Sequence, residues 1–165
     1  IERPASHSDF PMNLIINMMP QEPSFSKIPD KSDKVAYGEY MAMGCVICHT
    51  LEDKGRPVEG MEYAGGFEFK LLTGGYVRSS NITQDKETGI GNWTEEQFTK
   101  KFTQYRDSSF LSNSIGPNEY NTIMPWVIYS GMTDYDISAI YAFLKTIDPI
   151  KNEVVKFSLE STREK

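Results

Sequence analysis

The chain has 165 residues, 39% of them hydrophobic and 24% charged, enough for one domain with a modest core. Seventeen basic against 23 acidic residues give a formal net charge of −6 with no basic stripe, which argues against nucleic-acid binding and for partners with a basic or apolar face. No apolar run approaches the roughly 18 residues of a membrane span, and the start at Ile1, without a signal-peptide pattern, reads as a mature or trimmed form.

Residues 1–32 form a Pro-rich N-terminal arm. It holds Pro4, Pro11, Pro20, Pro23 and Pro29, which exclude a long helix. Its middle, Phe10 to Met19, is apolar. Left exposed, such a run is a liability, so the arm is expected to pack over the domain's own core. The alternative is a docking segment for a partner subunit of a larger complex.

A first helix is expected from about Asp33 to Gly44, capped by Ser32, with Val35, Tyr37, Tyr40, Met41 and Gly44 mostly at helical spacing. It leads into Cys45-Val46-Ile47-Cys48-His49, the C-x-x-C-H pentapeptide of covalent c-type haem attachment. Two thiols three positions apart can bond to the two vinyl groups of one haem, and the following histidine can then ligate the iron. A structural zinc site needs two more Cys or His in a second cluster. The chain has only these two cysteines, and its other histidine, His7, lies in the arm. A thioredoxin-like pair needs a βαβ pattern that is absent, and a disulfide here would close a very small loop. One pentapeptide means one haem.

Residues 50–92 are glycine-rich and read as loops with a short hairpin. Thr94 and Gln97 form a capping box for a second helix striped by Phe98, Phe102 and Tyr105. Residues 106–122 read as a polar loop. Thr133 and Asp136 cap a final helix with Ile137, Ile140, Tyr141, Leu144 and Ile147 at i, i+3, i+4, i+7 and i+10, and Pro149 follows it. The expected organisation is a mainly α domain over 33–149 and a surface tail over 150–165, with no internal repeat.

His49 supplies one axial ligand, and the second is sought among the methionines. Met41 and Met43 immediately precede the cysteines, Met132 abuts the last helix, and Met12, Met18 and Met19 lie in the arm. Met124 stands before Pro125, which pushes it to an extended, non-helical conformation. Met124 is the favoured ligand, Met61 the runner-up in a Gly-flanked loop, and core filling the ordinary role of any methionine.

From about Lys34 to Ile147 the chain resembles class I, mitochondrial-like cytochromes c. The resemblance rests on Gly38-Glu39-Tyr40 before the pentapeptide, on Met124-Pro125-Trp126, and on the terminal helix Asp134 to Thr146. More specifically, Asn81-Ile82-Thr83-Gln84-Asp85 through Thr88-Gly89-Ile90-Gly91-Asn92-Trp93 is similar to a stretch of bacterial cytochrome c subunits of dehydrogenase complexes, with Gln84 in place of the usual proline. The resemblance implies a cytochrome c fold of helices and long loops around one covalently bound haem. It implies thioether bonds at Cys45 and Cys48, and His49 and Met124 as iron ligands. It also implies close packing of the first and last helices at Gly38 near Tyr141, and Arg78, Asn81 and Trp93 near the haem propionates.

The expected function is electron transfer between a dehydrogenase or respiratory donor and an acceptor, in an electron carrier rather than an enzyme. Tyr40, Trp126, Ile128 and Tyr129 are expected to line a low-polarity pocket that raises the potential. The alternative is a catalytic or ligand-sensing haem with an open sixth position, for which the chain offers no distal histidine. Haem c implies export, hence a periplasmic or extracytoplasmic bacterial location, with any anchor upstream of Ile1 removed or missing.

Overall fold

The computed structural model describes residues 10–18, 27–111 and 115–162. His7 and Met19 lie outside the described residues. Among the described residues five α-helices, α1 (Met12–Met18), α2 (Lys34–His49), α3 (Glu95–Thr103), α4 (Trp126–Ser130) and α5 (Asp134–Leu144), are joined by long loops with short strands and 3-10 turns. The expected mainly α class and cytochrome c architecture are what is observed.

Asp33, not Ser32, caps α2, accepting a hydrogen bond from Ala36 N at 3.1 Å. Asp30 turns the chain first by accepting from Ser32 N, which moves the helix start one residue on. The helix also runs past Gly44 to His49, so the pentapeptide is helical rather than a loop after a helix. Thr50 ends it in extended backbone, its hydroxyl donating to the Val46 carbonyl. Both expected capping boxes are present, Thr94 with Gln97 on α3 and Thr133 with Asp136 on α5.

α2 lies across α5, and α3 packs on α5 beside them. The crossing depends on Gly38, where an added Cβ would stand 1.9 Å from the Ala139 carbonyl oxygen and 3.1 Å from the Phe143 side chain. The contact point is therefore Ala139, not Tyr141. Tyr141 instead packs its ring at a tilt against Phe98 and donates its hydroxyl to the Trp93 carbonyl. Ala42, Ile90, Phe98, Phe102, Ile137, Ile140, Tyr141 and Leu144 make the buried core. A carboxylate, Asp136, enters this layer. Burial pushes the Asp136 carboxyl up, but hydrogen bonds from Thr133 and Tyr37 and the Lys31 charge outweigh it and hold the group below its ordinary value.

The glycine-rich segment contains the expected hairpin, β1 (Glu52–Asp53) with β2 (Arg56–Pro57). It also contributes β3 (Glu68–Lys70) and β4 (Tyr76–Arg78) to a three-stranded antiparallel sheet whose third strand is β5 (Phe157–Ser158). The segment expected as a surface tail is thus built into the domain. Its residues close over a buried ion pair: Arg78 donates to Glu68, Ser158 and Thr162 and to the Val155 carbonyl, while Ser161 and Thr162 donate to Glu68. Strands of two and three residues are too short to show an alternating pattern in sequence.

At residues 10–18 the arm differs from expectation. The described side chains of α1 and its approach, Phe10, Met12, Leu14, Ile15 and Met18, are all exposed rather than laid over the core.

Gly38→Ala is expected to destabilise the domain by about 1–3 kcal/mol, because a rigid backbone carbonyl must move. Gly44→Ala, whose methyl meets the Tyr129 hydroxyl at an ordinary 3.6 Å, should be neutral or stabilising in urea unfolding. Glu68→Gln leaves Arg78 buried without its counter-charge and should cost about 3 kcal/mol. Burial raises the Glu68 pKa, but bonds from Ser161, Thr162 and Arg78 bring it below 4.5. Its contribution is therefore complete above about pH 4.5 and is lost as pH falls through the lower folded value. Acid unfolding followed by circular dichroism should show a shallower decline with pH in Glu68→Gln than in wild type.

Candidate haem site

The last turns of α2 present Cys45 half-buried toward the core and Cys48 exposed, both as free thiols. Burial, then the neighbouring Cys48, pushes the Cys45 thiol up to about 11. Tyr63 and Tyr129 flank the pair, and each has its phenol raised first by burial and then by Cys45.

His49 is held by two loop contacts. Its Nδ1 lies 2.7 Å from the Ser80 carbonyl oxygen. A carbonyl only accepts, so Nδ1 carries the proton and Nε2 keeps its lone pair. Burial lowers the imidazole's pKa against the opposing effect of that hydrogen bond, which favours the neutral, ligating form. The second contact runs from Gly65 N to the His49 carbonyl at 2.6 Å. Gly65 has φ +76, and a Cβ there would stand 2.4 Å from the Ser80 carbonyl carbon and 2.6 Å from Asn81 N. Only glycine lets the 79–81 segment pass this close, and that passage places the Ser80 carbonyl against the imidazole. A backbone acceptor and a turn glycine among many glycines carry no sequence signal for this role.

Ser80 is fixed in turn by the segment after it. The Asn81 carboxamide accepts from Thr83 N and Oγ1 and donates to Thr88 Oγ1 and the Ile150 carbonyl. Gln84, in the place of the usual proline, donates to the Leu144 carbonyl at 2.9 Å and so closes the C-terminal end of α5. Two expectations are corrected here. Arg78 and Asn81 do not stand ready for propionates, because all their side-chain nitrogens are spent on the ion pair and on this loop.

Met124 sits in the loop before α4, half-buried against the core with Trp126 and Tyr129. Its N–H donates to Thr122 Oγ1, and its carbonyl accepts from Trp126 N at 2.8 Å. Met41 and Met132 pack against the same core, Met43 is exposed, and Met61 lies in a turn outside the core cluster. Trp126 stacks on Tyr105 with ring centroids 5.1 Å apart and meets Phe102 edge-on. Tyr40 is half-buried, but Ile128 is 76% exposed on the outer side of a one-turn helix, not a pocket wall.

The donor chemistry fits a covalently bound haem: two free thiols at the right spacing and an imidazole with its distal nitrogen unprotonated. A bare metal ion has no such fit, since no group of three or more His, Cys, Asp or Glu among the described residues could hold one.

The family model described as cytochrome c matches residues 35–148. The cytochrome c subunit of a quinone alcohol dehydrogenase from Gluconobacter oxydans is 39% identical over 108 residues, covering 64% of this chain and 20% of that protein. The cytochrome subunit of a fructose dehydrogenase from Gluconobacter japonicus is 32% identical over 135 residues, 79% of this chain and 24% of that protein. The cytochrome c subunit of a gluconate 2-dehydrogenase from Pantoea cypripedii is 31% identical over 121 residues, 70% and 24% respectively. The chain thus spans a fifth to a quarter of the length of these relatives. A match this long, over the helices that carry the thiols, the histidine and the core, places the chain in the cytochrome c family, as a domain with covalently bound haem that transfers electrons.

Proposed function

We propose that this chain is a single-haem electron-transfer module with thioether bonds at Cys45 and Cys48 and axial ligation by His49 and Met124. The observation that carries it is the His49 imidazole, half-buried and fixed through Nδ1 so that Nε2 is free for iron. The haem, when bound, supplies a one-electron ferrous/ferric couple. The chain's residues hold and tune it. Cys45 and Cys48 anchor it to α2, and the Ser80 carbonyl keeps the imidazole oriented and electron-rich. Met124 stands next to Pro125, half-buried among aromatic side chains, where a thioether raises the potential relative to nitrogen or thiolate ligands. Trp126 and Tyr129 keep that side apolar, which disfavours the extra ferric charge.

The relatives named above are dehydrogenase subunits, so the partner we infer is a dehydrogenase or a neighbouring cytochrome in such a complex, in the bacterial periplasm or another extracytoplasmic space. No helix among the described residues is long and apolar enough to cross a membrane.

Cys45→Ala or Cys48→Ala should leave a fraction of the haem extractable into acidified solvent, whereas wild type retains all of it. Met124→Ala should keep covalent haem, lose the weak sulfur-to-iron band in the far red of the ferric spectrum, and bind carbon monoxide when ferrous. Carbon monoxide uptake by wild type at neutral pH as fast as by the variant would instead assign an open sixth position and a ligand-sensing or catalytic role.

A further inference from the structure

The segment that leads to Met124 is tied to the sheet of β3, β4 and β5. Residues 115–123 contain no helix or strand, and Ile115, Tyr120 and Ile123 are exposed, so apolar burial does little to hold them. Among the described residues, the hydrogen bond from this segment to another part of the chain is Asn118 N to the Thr73 carbonyl at 2.9 Å. Asn118 makes it with φ +60, in the left-handed region that asparagine tolerates and β-branched residues avoid. The receiving turn, between β3 and β4, is shaped for the contact. Gly74 has φ +103, and a Cβ there would run into the Asn118 carboxamide oxygen. The Phe157 ring of β5 covers the next residue, since a Cβ at Gly75 would stand 2.7 Å from it. Tyr120 meets that ring edge-on, with centroids 6.3 Å apart. Beyond this anchor the chain is braced locally: Asn121 Oδ1 accepts from Thr122 N, and Thr122 Oγ1 accepts from Met124 N.

We infer that Asn118 is a positioning residue for Met124: its left-handed turn, seated on Thr73 and Gly74, holds the ligand loop down and so sets how often Met124 leaves the iron. The inference rests on the ligation proposed above. On its C-terminal side Met124 is fixed by Pro125 and α4, where the Ile128 and Tyr129 amides bond the Pro125 carbonyl. On its N-terminal side the hydrogen-bonded tie is six residues back at Asn118, a leash of about 20 Å at full stretch. Release of that tie frees one side of the loop only, so the methionine can move while α4, the core and the haem attachment stay in place. Segments held by few buried contacts open at lower free energy than the whole fold, so a single anchoring bond can govern the opening.

The test is carbon monoxide uptake by the ferrous, haem-loaded 165-residue chain at neutral pH, because the gas binds only while Met124 is off the iron. Asn118→Val puts a β-branched side chain at positive φ and should speed uptake about tenfold. Asn118→Gly keeps the turn and its N–H, and should stay within about threefold of wild type. Gly74→Ala, on the other side of the contact, should speed uptake as Asn118→Val does, and the double variant no more than either alone, since both break one contact. Gly38→Ala loosens the α2–α5 crossing instead and should keep the wild-type rate, which separates release of the loop from a general loss of stability. Wild-type rates in Asn118→Val and Gly74→Ala, with the far-red sulfur band present, would overturn the anchor and leave Met124 as the ligand. Uptake by Gly38→Ala as fast as by Asn118→Val would also overturn the anchor, because loosening of the whole fold would then govern. Wild-type uptake as fast as that of Met124→Ala would overturn the ligation and the anchor together. If Asn118→Val fails to load haem, Gly74→Ala decides by the same criteria.

Discussion

The close crossing of α2 and α5 at Gly38 and Ala139 is the constraint on which the rest of the domain depends. α2 carries Cys45, Cys48 and His49 in its last turns, and a helix can only aim those residues if its axis is fixed. Backbone against backbone fixes it more tightly than side chains in contact, because a carbonyl has no rotamers to absorb a misfit. The capping boxes of α3 and α5, and the Asp136 carboxylate shared between Thr133, Tyr37 and Lys31, then lock the ends of the bundle around that crossing.

The loops do the second half of the positioning. His49 ends α2, and its orientation is set by the 63–66 and 79–84 segments, which are not helical. Their rigidity comes from hydrogen bonds rather than apolar burial: the Asn81 carboxamide, the Asp85 turn accepting from Thr88 and Glu87, and Gln84 on the end of α5. The sheet of β3, β4 and β5 closes over the Glu68–Arg78 pair and ties residues 155–162 to the same loop system. Those residues so far along the chain are therefore part of what holds the histidine's surroundings still.

The cysteines are flanked by the aromatic rings of Tyr63 and Tyr129, with the Glu39 carboxylate also acting on Tyr63. A redox centre in apolar surroundings has a higher potential and a smaller solvent response to the change in charge.

The sequence by itself determined the attachment motif and three of the five described α-helices, α2, α3 and α5. The pentapeptide names its cofactor because thioether attachment and axial ligation need those residue types at that spacing. Capping boxes and a 3.6-residue apolar period are local properties, so α3 and α5 were legible, whereas the hairpin was legible only as a short one somewhere in residues 50–92. Tertiary structure alone decided the rest. The Ser80 carbonyl is a backbone group with no side-chain signature, Gly65 is one of 12 glycines, and β5 pairs with a strand far back in the chain. Arg78 looked available for a propionate because sequence shows a charge but not its partner, and only the fold brings Glu68, Ser158 and Thr162 to it. Spacing along a chain fixes what lies within a few turns, whereas contacts between distant segments depend on how the whole chain packs.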